Sequence, residues 1–231
     1  MANEEEIRAA AIDFAKHNKK RLAEELTNKE IFKPDAMPVS VFMAGSPGAG
    51  KTEFSKNLIL VIEKHKESRV IRIDPDDIRA LLPGYTGNNS YLFQGAVSLV
   101  VEKIHDLALR QKQNFIFDGT FSKYNKAIEN INRSLGLKRS VVIFYLYQKA
   151  DVAWRFTQLR EKIEGRNIPR EKFDEQFRNA KEAVNRVRIN YGDEVGIFLV
   201  KKDFEKNSVE YIDEIVPGGK NIDEYPLSGY I

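Results

Sequence analysis

The stretch Val39-Ser-Val-Phe-Met-Ala-Gly45-Ser-Pro-Gly-Ala-Gly-Lys51-Thr52 decides the fold. Its first six residues form a run of strand length with one polar member, which reads as a β-strand covered on both faces. Its last eight fit the full pattern Gly-x-x-x-x-Gly-Lys-Thr, and the amphipathic run over about 51–66 predicts a helix immediately after it. Each residue type has a physical reason. The glycines let the backbone fold into a nest of inward-pointing amides that hold phosphate oxygens. The helix start adds the positive end of its dipole. The ammonium group of Lys51 reaches the outer phosphates, and the hydroxyl of Thr52 ligates Mg²⁺. Gly45, Ser46, Pro47, Gly48, Ala49, Gly50, Lys51 and Thr52 are therefore the cofactor-binding residues expected here, with ATP and Mg²⁺ as the cofactors.

Outward from this loop the chain alternates strand and helix. Short strands are predicted at Arg69–Ile73, Asn114–Phe117, Val141–Tyr147 and Gly196–Val200. Helices are predicted after Asp74, around Phe93–Leu107, at 122–135, at 150–164 and at 169–189, and the tail after Lys201 suggests a strand pair. This alternation implies an α/β fold of the P-loop NTPase type: a three-layer sandwich with a mostly parallel sheet between helices, and a helical lid. Residues 1–30 form a separate amphipathic helix, which either packs on the core or docks a partner; 31–231 form the main domain, with lid helices at about 150–189. Ligands of such a sheet bind at the carboxyl ends of its strands.

Composition narrows the function classes. The 231 residues carry 37 basic and 34 acidic side chains, too balanced for a duplex nucleic-acid binder. With no cysteine, thiol chemistry and cysteine-ligated zinc are excluded. His17, His65 and His105 lack metal-ligand spacing and read as surface or partly buried helix residues. The acidic start, Met1-Ala-Asn-Glu-Glu-Glu, is unlike a secretory signal, and no apolar run is long enough for a membrane span; a cytoplasmic location is the expectation.

The remaining candidates sit at predicted strand ends. In Asp74-Pro-Asp76-Asp77-Ile-Arg79, Asp74 caps a helix whose first residue is Pro75. Asp76, in the first turn, is the candidate base for an acceptor hydroxyl. Arg79 either pairs with Asp76 or meets an anionic substrate. In Asp118-Gly-Thr120, the carboxylate serves the magnesium water shell or the acceptor, and Thr120 offers its hydroxyl to substrate or caps the next helix. Arg160 and Arg166 flank Gly165, where a lid could hinge, and a cation there would stabilise a transferring phosphoryl group. The absence of an Asn-Lys-x-Asp motif argues against a GTPase.

Taken together, Gly45–Thr52, Ile-Asp-Pro-Asp-Asp-Ile-Arg at 73–79, Asp-Gly-Thr at 118–120 and Arg-Glu-Lys-Ile-Glu-Gly-Arg-Asn-Ile-Pro at 160–169 resemble the zeta toxin family of P-loop kinases. The resemblance implies transfer of the ATP γ-phosphoryl group to the 3′-hydroxyl of a UDP-activated amino sugar, chiefly UDP-N-acetylglucosamine. Lys51, Asp76, Arg160 and Arg166 would be catalytic, and Arg79, Asp118 and Thr120 would bind substrate, with Arg155 as an alternative to Arg160. A small helical antitoxin is the implied partner. Two departures, Asp118 for the family's glutamate and Leu82-Pro83-Gly84-Tyr85 for its His-Pro pair, both fall on the acceptor side. A polynucleotide 5′-hydroxyl or nucleoside kinase and a non-catalytic ATP-binding module are the competing readings.

Overall fold

The computed structural model describes residues 3–65, 69–165, 168–203, 208–215 and 222. Its helices are α1 (Glu4–Leu26), α2 (Lys51–His65), α3 (Pro75–Ala80), α4 (Gln94–Arg110), α5 (Tyr124–Gly136), α6 (Ala150–Glu164) and α7 (Arg170–Tyr191). Its strands are β1 (Val39–Ala44), β2 (Ile71–Ile73), β3 (Phe115–Phe117), β4 (Ser140–Tyr147), β5 (Val195–Asp203) and β6 (Ser208–Glu214). They form one sheet in the order β2-β3-β1-β4-β5-β6, parallel except for β6, which pairs antiparallel with β5. The chain leaves β1 toward β2 on one side and later reaches β4 on the other. The carboxyl end of β1 is therefore a topological switch point, and the glycine loop lies there.

Period-two alternation along the buried strands divides the interior into two cores. Phe42 and Ala44 of β1 face α4 and α7, together with Ile71, Ile73, Phe115, Ile143 and Ile197. Val41 and Met43 face α2, packing with Phe54, Ile116 and Leu146. Burial on both faces explains why these strands read as continuous apolar runs.

α1 belongs to the domain rather than standing apart. Asn3 caps it in a reciprocal bond pair with Glu6, and its small residues Ala11, Ala15 and Ala23 are buried against the larger core. Ile12 lies against Gly95 at the start of α4, and at the other end Gln113 donates to the carbonyls of Thr27 and Phe32. The reading in which this helix packs on its own core is the one the contacts support.

Two expectations change. His105 is fully buried, edge-on to Phe42, Phe115 and Phe117, where a surface or partly buried position was expected. Burial, reinforced by Arg133, Lys126 and Arg139, lowers its pKa to about 3 and keeps the imidazole neutral. The second strand is shorter than expected, because Arg69 and Val70 precede the ladder. Among the described residues no helix is long and apolar enough to cross a membrane.

Candidate active site

The loop between β1 and α2 takes its shape from close approach. Gly45 has φ +139° and passes so near the end of β4 that a Cβ would sit 2.5 Å from the carbonyl oxygen of Leu146. Gly48, at φ +71°, comes closer still to α6: a Cβ there would lie 2.1 Å from the carbonyl oxygen of Ala153 and 2.8 Å from Thr157 Oγ1. The Gly45 amide donates to the carbonyl of Thr120 at 3.2 Å, tying the loop to the segment after β3. Lys51 Nζ donates to the carbonyls of Gly45 (3.0 Å) and Ser46 (2.7 Å), which holds the ammonium over the loop.

Beside this loop, Asp74 Oδ1 accepts from the amide of Asp76 at 2.8 Å, the capping bond expected of it. The Asp74 carboxyl is raised to about 6 because it is buried and close to Asp118, while the Arg72 guanidinium acts in the opposite direction. Arg79 Nη1 meets Asp76 Oδ1 at 2.5 Å, and Arg79 is itself buried. The expected pairing within the helix is thus present, and the arginine orients the carboxylate one turn away. Asp118, also buried, accepts on Oδ2 from Ser55 Oγ (2.7 Å) and Arg72 Nε (3.2 Å). Thr120 Oγ1 lies 2.9 Å from Ser122 Oγ. It does not cap α5, whose cap position is Lys123, so that alternative is set aside.

These elements enclose one cleft of about 1060 Å³. Gly48, Gly50, Lys51 and Thr52 line one end; Asp74, Asp76, Arg79, Asp118 and Thr120 line the side formed by α3 and the β3–α5 segment. From α6, Phe156, Thr157 and Arg160 close the cleft, joined by Ile168 and by Gln176 of α7. Arg155 is exposed and does not line it, while Arg166 lies outside the described residues. Gly165 ends α6 at φ +70°, a left-handed cap that suits glycine, with Asn88 close against it. The carboxyl half of α7, with Ala180, Val184 and Val187 buried, is part of the core, so among the described residues of this segment α6, Ile168 and the start of α7 line the cleft.

Sequence reasoning missed several lining residues. Gln94, Glu102, Lys126 and Asn130 form a polar wall on α4 and α5, opposite the lid. Lys126 Nζ lies 2.8 Å from Glu102 and 3.1 Å from Glu129. Asn130 is buried, and among the described residues its Oδ1 has no hydrogen-bond partner. Lys202, at the end of β5, adds a cation near Glu53, its pKa lowered by burial. No signal in the linear sequence marks these positions, since each is an ordinary polar residue of a helix or strand.

Among the described residues no three His, Asp or Glu side chains gather as a metal cage. Mg²⁺ seldom needs one, because it takes most ligands from phosphates and water. Thr52, at the first turn of α2 and lining the cleft, is placed to supply one protein ligand to such an ion.

No curated protein sequence matches the chain. A chain from the PezAT chromosomal toxin–antitoxin system of Streptococcus pneumoniae superposes with a TM-score of 0.65 at 15% identity, covering 87% of this chain and 80% of that one. A chain of the AvrRxo1-ORF1:ORF2 complex superposes with a TM-score of 0.60 at 16% identity, covering 97% and 72%. The same complex with ATP gives 0.60 at 16% identity, covering 93% and 68%. At such identities the likeness is one of fold. The sequence family model described as zeta toxin matches residues 22–212, a span that holds the glycine loop and every described residue of the cleft. The chain belongs to the zeta toxin family.

Proposed function

We infer that the protein is an ATP-dependent kinase that transfers the γ-phosphoryl group to a hydroxyl of a small-molecule acceptor. The observation that carries this reading is the convergence in one cleft of the glycine loop, the Asp76 carboxylate and the Arg160-bearing lid. A volume of about 1060 Å³ exceeds what one ligand of drug size needs, leaving space for an acceptor beside the nucleotide. Family membership and the ATP present in a structure of similar fold support ATP as donor.

In this reading the loop amides and Lys51 bind the phosphates, and Thr52 holds Mg²⁺, which neutralises charge between donor phosphates when bound. Asp76 accepts the proton of the acceptor hydroxyl; its bond to Arg79 fixes its direction. Arg160 bears on the transferring phosphoryl group. Arg166, by the family resemblance, shares that task. Asp118 and Thr120 flank the acceptor, and their oxygens suit N–H and O–H donors on it. A UDP-activated amino sugar, rich in both, is the acceptor we favour. A helical antitoxin is the protein partner we favour, since one similar fold comes from a toxin–antitoxin system.

The test incubates the protein with Mg·ATP and panels of nucleotide sugars, nucleosides and oligonucleotides, and reads added phosphate by mass spectrometry. Phosphate on a nucleotide sugar supports the full reading. Label on an oligonucleotide alone would move the assignment to a polynucleotide kinase, and tight ATP binding with no product from any acceptor would refute the kinase.

A further inference from the structure

Arg72 is the middle residue of β2. Its neighbours Ile71 and Ile73 point into the larger core, so the pleat sends Arg72 to the α2 face. There its side chain, only 11% exposed, meets three carboxylates from two further segments. It pairs with Asp74 and with Asp77, at the cap and in the first turn of α3. Its Nη2 lies 3.1 Å, and its Nε 3.2 Å, from Asp118 Oδ2, and Nε also lies 3.3 Å from Ser55 Oγ. Ser55 stands one turn beyond Thr52 on α2.

One planar guanidinium thereby joins the helix that carries Thr52, the strand end that carries Asp118 and the turn that carries Asp76. The fork geometry permits this; a lysine ammonium could not reach the same set in fixed directions. The consequences are specific. Asp118 has both side-chain contacts on Oδ2, so its orientation is set and Oδ1 is uncommitted among the described residues. Asp74 gives Oδ2 to Arg72 and Oδ1 to the Asp76 amide, so the arginine governs the first turn of α3 through its cap.

We propose that Arg72 is the positioning residue of this site, holding Asp118 and the Asp76 turn in register with the glycine-loop helix. It touches neither nucleotide nor acceptor and acts through the two aspartates. The inference rests on the kinase reading and adds to it a residue that the zeta toxin motifs quoted above leave out.

The experiment is a double-mutant cycle of Arg72→Met and Asp118→Asn, with kcat, the KM for ATP, calorimetric Mg·ATP affinity and Tm measured on the full chain. Arg72→Met is expected to lower kcat at least 30-fold while KM and Mg·ATP affinity stay within threefold. The double variant should be no slower than the slower single, because both act on one unit. Arg72→Lys keeps the charge and the fold but should still lose at least tenfold in kcat; it decides the matter if the methionine variant does not fold. An Arg72→Lys or Arg72→Met protein within threefold of wild-type kcat would overturn the proposal. So would multiplicative losses in the cycle, or a KM that rises in step with the fall in kcat. A wild-type chain inactive toward every acceptor refutes the kinase and takes this role with it; an active wild type matched by Arg72→Met refutes the arginine alone.

Discussion

Replacing Gly48 by alanine separates phosphate binding from every other property of the domain, and needs no knowledge of the acceptor. At φ +71° an L-residue costs roughly 1–2 kcal/mol. The larger cost is steric: the new Cβ would stand 2.1 Å from the Ala153 carbonyl oxygen and 2.8 Å from Thr157 Oγ1. To regain an ordinary contact the loop must retreat from α6 by about 1.5 Å, since non-bonded carbon contacts settle near 3.5–4 Å. A displacement of that size in preorganised groups costs on the order of 100-fold. Titration calorimetry with Mg·ATP should therefore show Kd raised about 100-fold, or about 2.7 kcal/mol. Gly84→Ala is the control. It pays a comparable backbone penalty at φ +82°, but its nearest neighbour beyond the adjacent chain is Phe93 Cζ at 3.9 Å. That variant should lose Tm and keep its Kd within twofold. If Gly48→Ala bound Mg·ATP within threefold of wild type, the loop would not be the phosphate cradle, and the reasoning from close approach would fail.

Asp76→Asn preserves the size of the side chain and an acceptor for Arg79, so Tm should change by only a few degrees; the initial rate of phosphate transfer should fall about 10²–10⁴-fold, with Mg·ATP affinity nearly intact. Transfer at the wild-type rate would remove Asp76 from the reaction. His105 gives the protein an acid-sensitive core: its ordinary pKa of 6.5 is lowered to about 3, so below pH 6.5 the unfolded chain takes up a proton that the folded one refuses. Stability contributed by this residue is complete above pH 6.5 and declines as pH falls toward 3, by up to about 1.4 kcal/mol per unit. Urea unfolding at pH 7 and pH 5 should show a smaller loss for His105→Gln than for wild type, and equal losses would refute the assignment. Ala15→Leu, at a fully buried position on α1, should cost about 1–3 kcal/mol by overpacking, read as a lower urea midpoint; no change would mean that α1 does not seat on the core.

How much of this was legible in the chain depends on the range of the interaction. The glycine loop, the Asp74 cap and the apolar strand expected at 141–147 are local patterns; the structure has the first two in place and the strand at 140–147. The pairing of Arg79 with Asp76 spans three residues and could be weighed in advance. Arg72 could not: its partner Asp118 lies 46 residues away, and a lone arginine in a three-residue strand looks like a solvated edge. His105 was misjudged for the same reason, because the rings that enclose it come from β1 and β3 and not from its own helix. Asn130 carries the signature of a buried, unpartnered acceptor only once α5 is placed beside the cleft.

α4 serves two masters. Toward one side it supports α1, with Ile12 against Gly95; toward the other, Gln94, Val97 and Glu102 line the cleft. A shortened chain beginning after Thr27 would strip the cover from α4 and expose an oily flank to water, inviting self-association. α1 is the outer brace of the cleft.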